Sequence, residues 1–244
     1  MLLAAAAGHR VILVCATDGS VGEVDEDFLL AGETLAERRA QELVEAGRII
    51  GVHRLDQLGY KDSGMMGTHT NADPGCFWQA DVEEAAARLA AILIEERVDV
   101  LTCYDSHGGY GHPDHIQVHR VGHRASHLAG VGRVYESTLN RTEVVRLMNA
   151  AAQGGVDIGD TPDAAQQEGF GTPEDELTTA VDVSSVLEVK RQVMAVHASQ
   201  IGEESIFLSL PDDLFKDAFG TEWFIRTDTI PVGLETDLFE GLAT

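Results

Sequence analysis

Several residue types are scarce in this chain, and each scarcity excludes a class of protein. Lysine occurs three times against fourteen arginines, and these 17 basic residues face 41 acidic ones, which gives a formal charge of −24. Such a surface repels phosphate backbones and anionic membranes, so nucleic acid is not an expected partner. No apolar run approaches the roughly 18 residues of a membrane helix, and residues 1–7 lack the basic flank of a secretory signal. We therefore expect a cytoplasmic protein without a membrane span.

Cysteine is also scarce, and its spacing limits the redox and metal chemistry. Cys15, Cys76 and Cys103 are odd in number, far apart and never arranged as C-x-x-C. This spacing predicts neither a disulfide framework nor a cysteine zinc site, and we interpret the three residues as small buried apolar side chains. A chain of 244 residues with 44% hydrophobic content is long enough for one sizeable core. We expect residues 1–244 to form a single domain.

The hydrophobic pattern of residues 11–139 alternates short β-branched runs with helical periodicity. This alternation is typical of βαβ units and predicts an α/β fold with a Rossmann-like, mainly parallel sheet flanked by helices. Thr34 with Glu37 forms the predicted capping box of one helix, and Asp81 with Glu84 caps the next. Strands are predicted at residues 11–16, 53–58, 98–104 and 221–228 with a short one near residue 180, and a late helix at residues 184–199.

One long segment carries no basic residue. Residues 147–189 contain neither Lys nor Arg, and residues 154–176 within them are rich in acidic residues, Gly, Pro and Gln. This composition predicts a flexible acidic loop inside the domain, of the kind that often covers a binding site.

The densest chemical motif is residues 107–119, which hold four of the ten histidines beside a Gly-rich turn. The turn follows the predicted strand at 98–104, and ligands in α/β sheets bind beyond the carboxyl ends of strands. Pro113 suits the first position of a helix, which makes His112 its N-cap and puts His115 in the first turn. We interpret the motif as half of a metal-dependent hydrolytic site.

Histidines continue along the same predicted helix at a spacing of four residues. His115 and His119 could present two nitrogens to one metal ion, but four residues strung along one helix cannot all reach it. We therefore interpret His119, His123 and His127 as packing or surface residues. A metal-buffering or structural protein that uses this stripe is the alternative.

Five segments together resemble one protein family. They are TCYDSHGGYGHPDHIQVHR at 102–120, TDGSVGEV at 17–24, LAERRAQEL at 35–43, LGYKDSGMMGT at 58–68 and HASQI at 197–201. The chain is similar to the PIG-L or LmbE-like zinc-dependent de-N-acetylases, especially the branch with N-acetylglucosaminyl-inositol deacetylase of mycothiol synthesis and mycothiol S-conjugate amidase. The resemblance implies a hydrolase that removes an N-acetyl group from an N-acetylglucosamine-type small molecule with zinc as cofactor. An amidase-like activity is the alternative within the family, and a homo-oligomer is compatible with the sequence.

The resemblance also implies roles for particular residues. His115 matches a zinc ligand, His112 a histidine that assists oxyanion stabilisation, Asp114 a carboxylate that tunes a neighbouring histidine, and Tyr110 a mobile tyrosine at the transition state. For the substrate, the matching positions are Arg39 and Asp62, which hold sugar or inositol hydroxyls, Met65 beside them, and Glu23 in a substrate-facing loop.

Family members begin with a strand that ends in a His-Pro-Asp-Asp motif, which supplies two zinc ligands and a general base. Residues 1–8 resemble the end of the helix that follows this motif. We therefore expect the first strand and two of the three zinc ligands to be missing, and this polypeptide to bind zinc weakly with little deacetylase activity. A start codon placed downstream of the natural one explains this best. A truncated, non-catalytic relative that binds a sugar or a protein is the alternative.

Overall fold

The computed structural model describes residues 1–25, 27–153, 170–202, 205–229 and 232–242. These residues form two compact units, of which the first comprises Met1–Ala80 and Val183–Gly220 and the second comprises Asp81–Asp182 and Thr221–Thr244. In chain order, the helices and strands are α1 (Leu2–Ala6), β1 (Ile12–Thr17), α2 (Leu35–Ile50), β2 (Arg54–Tyr60), α3 (Val82–Glu96), β3 (Val100–Tyr104), α4 (Gly108–Gly111), α5 (Pro113–Ala129), β4 (Arg133–Thr138), α6 (Arg141–Gln153), β5 (Thr179–Asp182), α7 (Leu187–Val196), α8 (Ile206–Ser209), α9 (Asp212–Phe219) and β6 (Thr221–Arg226). Short 3-10 helices cover His69–Ala72, Phe77–Gln79, Glu174–Glu176 and Ser184–Val186.

The first unit contains a parallel strand pair, β1 and β2, in which Ile12 lies opposite Arg54. Parallel neighbours need a crossover connection, and α2 lies in it. The predicted capping box is present at its N-terminus, where Thr34 Oγ1 accepts the Glu37 N–H at 3.2 Å and Glu37 Oε2 accepts the Thr34 N–H at 2.9 Å. These two bonds satisfy backbone donors that the helix itself leaves unpaired. The predicted strand, helix and strand are therefore confirmed.

The second unit contains a four-stranded sheet in the order β3, β4, β6, β5. Strands β3 and β4 are parallel, whereas β6 runs antiparallel to both of its neighbours. The predicted α/β fold with parallel strands and flanking helices is confirmed. The antiparallel β6 is an addition, because the hydrophobic pattern of a strand does not specify its direction.

Helices α3 and α5 pack against each other, and α5 packs on β3. Leu89 and Leu93 of α3 and Ala125 of α5 are buried in this core. Gly122 sits in the middle of α5, where a Cβ atom would lie 3.0 Å from the Cβ of Cys103. Glycine costs about 1 kcal/mol relative to alanine inside a helix, and here it allows α5 to approach β3 closely.

The late helix is shorter than the predicted range 184–199. It begins after the 3-10 turn Ser184–Val186, and α7 ends at Val196. The chain leaves the helix because Ser199 is held elsewhere: its N–H and its Oγ donate to the two carboxylate oxygens of Glu42 on α2, at 2.9 and 2.6 Å. Glu42 and Ser199 are both buried.

Two predictions concern the chain as a whole. Residues 154–169 of the predicted acidic loop lie outside the described residues, and the single domain over residues 1–244 stays a prediction. Among the helices that the structure describes, none combines the length and the apolar character needed to cross a membrane.

Candidate functional site

The loop between β3 and α5 is built around one buried carboxylate. Asp105 follows β3 directly and is 1% exposed. Its Oδ1 accepts the N–H groups of Gly109 at 2.8 Å and His107 at 3.1 Å, and its Oδ2 accepts the hydroxyl of Thr138 at the end of β4. A carboxylate bound by several donors is well satisfied when buried. Asp105 therefore ties the Gly-rich turn to the carboxyl end of the sheet.

Gly108 brings this turn into direct contact with α5. Its φ is +67°, and a Cβ atom there would lie 2.6 Å from the Cβ of His115. Both the backbone conformation and the close approach require glycine. The Gly108 carbonyl lies 3.1 Å from Nδ1 of His115. Because a carbonyl oxygen only accepts, Nδ1 carries the proton and the lone pair of the neutral ring is on Nε2.

His112 has the opposite arrangement. It is the N-cap of α5, as predicted, with Pro113 at the first helical position. Its Nδ1 accepts the backbone N–H of Asp114 at 3.1 Å. A ring nitrogen that accepts carries no proton, so the proton of neutral His112 is on Nε2. The motif therefore presents one imidazole N–H and one imidazole lone pair from adjacent rings, whose centroids are 4.9 Å apart.

Two tyrosines surround the ring of His115. Tyr104 stacks on it with a centroid distance of 3.9 Å and an interplanar angle of 3°. Tyr110 meets it edge-on at 5.1 Å, and 51% of Tyr110 is exposed. Asp114 lies buried in the first turn of α5, where the helix dipole stabilises a carboxylate. The four predicted motif residues, His112, Asp114, His115 and Tyr110, thus lie together in the second unit.

The described end of the acidic loop is bound to the same turn. Gly171 N–H donates to the Gly109 carbonyl at 2.9 Å, and the Arg141 guanidinium donates to the carbonyls of Phe170 and Gly171 at 2.7 and 2.8 Å. A cavity of about 300 Å³ beside it is lined by Asp105, His107, Glu136, Arg141, Thr172 and Glu176, among others. Its volume is at the lower end of those that hold small ligands.

Arg39, one of the predicted substrate residues, lies in the first unit and is enclosed by the TDGSVGEV loop. Its Nη1 donates to the Gly19 carbonyl at 2.6 Å and lies 3.9 Å from Oδ2 of Asp62. A Cβ atom on Gly22 would lie 2.0 Å from its Nη2, so the loop leaves room for the guanidinium only because residue 22 is glycine. Within the described part of the chain, the buried Nε of Arg39 has no hydrogen-bond partner. Arg39 is therefore a positioned donor rather than an exposed helix residue.

The other three predicted substrate residues are also in the first unit. Asp62 is buried, its N–H donates to Asp18 Oδ1 at 3.0 Å, and its Oδ1 accepts the Gly64 N–H at 2.8 Å. Met65 is 48% exposed, and Glu23 is exposed. Arg39 and Asp62 are thus held in contact with each other, whereas Met65 and Glu23 stand at the surface of this unit.

The resemblance implies zinc, so His112 and His115 can be compared with the requirements for a zinc-ligating histidine. A ligating histidine offers a lone pair from one nitrogen while the other nitrogen donates to a carbonyl or a carboxylate. His115 meets this requirement through Gly108. His112 does not, because its Nδ1 lone pair is used by Asp114 N–H. The motif therefore fits one zinc ligand and one hydrogen-bond donor.

The next two histidines of α5 contact polar groups of the sheet. His123 Nε2 lies 2.7 Å from Glu136 Oε1 on β4, and His119 Nδ1 lies 3.3 Å from the same oxygen. Burial lowers the pKa of His119 below its ordinary value. Burial, with Glu136 and Asp105 nearby, raises the pKa of the adjacent Cys103 thiol to about 12. His127 is exposed beside Arg124.

Sequence reasoning missed three residues of this region. Asp105 and Glu136 are not among the predicted site residues, and Tyr104 is predicted only as the end of a strand. An Asp that comes directly after a buried strand and two residues before a Gly-rich turn is the signal that could have pointed to Asp105. The roles of Tyr104 and Glu136 depend on contacts with α5, which no local pattern encodes.

Comparison with known proteins identifies the family. The profile of the PIG-L family, described as GlcNAc-PI de-N-acetylase, matches residues 1–126. A 1D-myo-inositol 2-acetamido-2-deoxy-alpha-D-glucopyranoside deacetylase of Nocardiopsis dassonvillei is 41% identical over 264 residues, covering 98% of this chain and 93% of the relative. The protein of the same name from Thermomonospora curvata is 37% identical over 265 residues, covering 98% of this chain and 89% of the relative.

A solved structure supports the fold. The N,N'-diacetylchitobiose deacetylase from Pyrococcus horikoshii matches with a TM-score of 0.51 at 21% identity, over 93% of this chain and 76% of that one. At this identity the match concerns the fold alone. The family profile covers about half of the chain and the relatives cover 98% of it, and both include the motif after β3. The chain therefore belongs to the PIG-L family of de-N-acetylases.

Proposed function

We propose that this chain is a zinc-dependent hydrolase that removes the acetyl group from an N-acetylglucosamine-type substrate, such as 1D-myo-inositol 2-acetamido-2-deoxy-alpha-D-glucopyranoside. The observation that carries the proposal is the pair of opposite tautomers at His112 and His115. Hydrolysis of an amide needs stabilisation of the oxygen that gains charge and activation of water at the same carbonyl. The names of the relatives support the choice of substrate.

His115 would hold the zinc ion through Nε2, with the Gly108 carbonyl fixing its tautomer. Zinc, when bound, lowers the pKa of water and polarises a carbonyl, which is the chemistry that amide hydrolysis requires. The stacked ring of Tyr104 limits rotation of the His115 ring. The buried Asp105 and the Gly-rich turn that it holds would keep His115 rigidly placed.

His112 would donate its Nε2–H to the acetyl oxygen as that oxygen gains charge. The Asp114 N–H orients the ring by donating to Nδ1, and we propose that the Asp114 carboxylate tunes a neighbouring histidine. One preorganised donor of this kind contributes about 10²- to 10³-fold in rate. Tyr110 is half exposed, and its ring centroid lies 6.3 Å from that of His112 and 5.1 Å from that of His115, which suits a second donor that closes on the bound substrate.

The sugar would be held by residues of the first unit. Arg39 and Asp62 provide a guanidinium and a carboxylate side by side, and this pair can donate to and accept from neighbouring hydroxyls of a sugar or an inositol. The exposed side chain of Met65 offers an apolar surface for a sugar ring. Glu23 offers an exposed carboxylate for a further hydroxyl.

The test is release of acetate and free amine from the N-acetylglucosaminyl-inositol, measured with added zinc and with a chelator. We expect release that needs zinc and that is lost in His115→Gln. His127→Gln changes an exposed histidine of the same helix and serves as the matched control, with unchanged activity. Zinc titration of the same samples gives the affinity.

Three outcomes contradict the proposal. Release that resists the chelator, or that persists in His115→Gln, excludes His115 as the zinc ligand. Binding of the substrate without release of acetate favours a sugar-binding relative. Hydrolysis of a mycothiol S-conjugate in preference to the acetylated sugar favours the amidase activity.

A further inference from the structure

Four side chains with metal-binding atoms, none of them among the residues proposed for catalysis, meet in the second unit. They are Cys103 on β3, Glu136 on β4, and His119 and His123 on α5, and we call them the Cys103 cluster. The Cys103 Sγ and one nitrogen from each histidine lie within 4.8 Å of one another. Glu136 Oε1 lies 2.7 Å from His123 Nε2 and 3.3 Å from His119 Nδ1.

The fold brings these atoms together through three independent features. Cys103 and Glu136 are register partners in the parallel pair of β3 and β4, so their side chains point to the same face of the sheet. His119 and His123 are one helical turn apart and share one face of α5. Gly122, between them in sequence, lets α5 approach to where a Cβ atom would be 3.4 Å from the Cys103 Sγ. A Cβ atom at residue 122 would also lie 3.0 Å from the Cβ of Cys103, so α5 and β3 would have to shift by a few tenths of an ångström to accept a side chain there.

The donor set is that of a zinc site. A thiolate, two imidazoles and a carboxylate are the ligands that Zn²⁺ accepts, and four protein ligands are typical of a structural rather than a catalytic site. Ligand atoms around tetrahedral zinc are about 3.3–3.8 Å apart, given bond lengths near 2.0–2.3 Å. The Cys103 Sγ and the two histidine nitrogens, all within 4.8 Å of one another, are three candidate ligands, and Glu136, which contacts both histidines, can orient them or add a fourth. We propose that the Cys103 cluster binds a zinc-class divalent cation and clamps α5 onto β3 and β4.

A hydrogen bond between Glu136 and one histidine would explain only part of this arrangement. One histidine is enough to bond the Glu136 carboxylate. His119 Nδ1 also lies 3.2 Å from the Tyr104 carbonyl, and the Cys103 thiol takes part in neither contact. Cys103 and Glu136 are buried, whereas the side chains of His119 and His123 are 22% and 33% exposed. An ion can thus enter from the helix side and find two ligands already in the sheet.

This proposal is independent of the catalytic one, and the experiment keeps the two apart. All samples carry His115→Gln, which removes the ligand proposed for catalysis. The probe is cobalt(II), since a cobalt thiolate gives a charge-transfer band in the near ultraviolet and tetrahedral cobalt absorbs strongly in the visible. We expect both signals from the full chain, and we expect zinc(II) to abolish them by competition.

Two variants assign the signal, and one serves as a control. Cys103→Ser is expected to abolish the charge-transfer band. His123→Gln, at a partly exposed position, is expected to weaken cobalt binding by at least about tenfold while the band survives at high cobalt concentration. Cys76→Ser changes a buried cysteine of the other unit and is expected to leave the band unchanged.

The absence of a thiolate band from the full chain overturns the proposal. So does a band that persists in folded Cys103→Ser, or cobalt affinity that is unchanged in His123→Gln. A thermal unfolding midpoint that rises with zinc in the His115→Gln background, and not after the further change His123→Gln, supports the clamp.

Discussion

His112 and His115 lie three residues apart at the start of α5, and their Nδ1 atoms have opposite hydrogen-bond roles. Nδ1 of His112 accepts the Asp114 N–H, whereas Nδ1 of His115 donates to the Gly108 carbonyl, each at 3.1 Å. The first ring therefore presents an N–H from Nε2 and the second presents a lone pair. Backbone groups contact both Nδ1 atoms, so the two tautomers are set before any substrate or metal binds. This is preorganisation of the kind that lowers a reaction barrier.

Replacement of His112 by Phe is expected to lower kcat by about 10²- to 10³-fold, because the Nε2–H that we propose as the donor to the developing oxyanion is lost. KM is expected to change little, since this bond strengthens only in the transition state. The N-cap is lost as well, at a cost of about 1 kcal/mol in stability. Steady-state kinetics measure the first effect and denaturant unfolding the second.

His112→Gln is the matched control for that variant, because its amide keeps an N–H donor at a similar distance and is expected to recover part of kcat. Zinc content, measured by elemental analysis, is expected to be the same in both variants. A loss of zinc on changing His112 would show that this residue is a ligand after all.

Gly108→Ala is expected to reduce zinc affinity and activity together. Its φ of +67° is unfavourable for alanine, and the new Cβ would lie 2.6 Å from the Cβ of His115 and 2.8 Å from the backbone nitrogen of Ile116. Rigid backbone cannot yield as a flexible side chain can, so α5 and the turn must move apart. The His115 ring then loses its partner carbonyl.

Gly109→Ala separates steric overlap from backbone strain. Gly109 has a similar φ of +74° in the same turn, but a Cβ atom there meets nothing within 4 Å. Alanine is strained at both positions, and we expect Gly108→Ala to bind zinc more weakly because only its Cβ overlaps α5. Equal zinc affinity in the two variants would mean that the close approach at Gly108 does not position His115. Isothermal titration calorimetry with zinc measures the difference.

Local signals in the sequence were enough to predict most of the elements that carry the site. The capping box of Thr34 and Glu37 and the N-cap role of His112 before Pro113 were predicted and are present. Each rests on contacts between residues at most three positions apart, which is why a single sequence is sufficient. The antiparallel direction of β6 was not predictable in this way, because it follows from which strand β6 pairs with.

Contacts between residues far apart in sequence could not be predicted, because local patterns do not specify them. Cys103 was interpreted as a small apolar residue because no second cysteine is near it in sequence. Its neighbours Glu136, His119 and His123 come from another strand and from a helix. These side chains come together because of the register of β3 against β4 and the close approach of α5 at Gly122. Both are properties of the folded chain.

Gly22→Ala tests the role of Arg39 without changing Arg39 itself. The new Cβ would lie 2.0 Å from Nη2 of Arg39 and displace the guanidinium from the position where it contacts Asp62. Because we propose that Arg39 holds the substrate, its displacement is expected to raise KM about tenfold or more with a smaller change in kcat. Gly202→Ala, where a Cβ atom meets nothing within 4 Å, is the control. Equal KM values for the two variants would remove Arg39 from the proposed sugar site.

Asp105→Ala is expected to destabilise the second unit by about 3 kcal/mol, as measured by denaturant unfolding, because three hydrogen bonds to a buried carboxylate are lost. The N–H groups of Gly109 and His107 and the Thr138 hydroxyl lose their acceptor. Asp105→Asn keeps a carbonyl oxygen for the two N–H groups and is expected to cost clearly less. A loss below about 1 kcal/mol in Asp105→Ala would show that the turn is held by other contacts.

The stability of the first unit is expected to fall as the solution becomes acidic, in part through His197. Burial lowers the pKa of this histidine below its ordinary value of 6.5, against the opposing charge of Glu42 and with a smaller contribution from Arg39. The unfolded chain therefore takes up a proton near pH 6.5, while the folded chain resists it until a lower pH. The contribution of neutral His197 to stability is complete above about pH 6.5 and is lost as the pH falls towards the pKa of the folded state.

In His197→Gln, the free energy of unfolding should thus fall less between about pH 7.5 and pH 5.5 than in the parent chain. His69→Gln changes an exposed histidine of the same unit and should keep the slope of the parent. If His197→Gln also keeps that slope, the burial of His197 is not what couples this unit to pH.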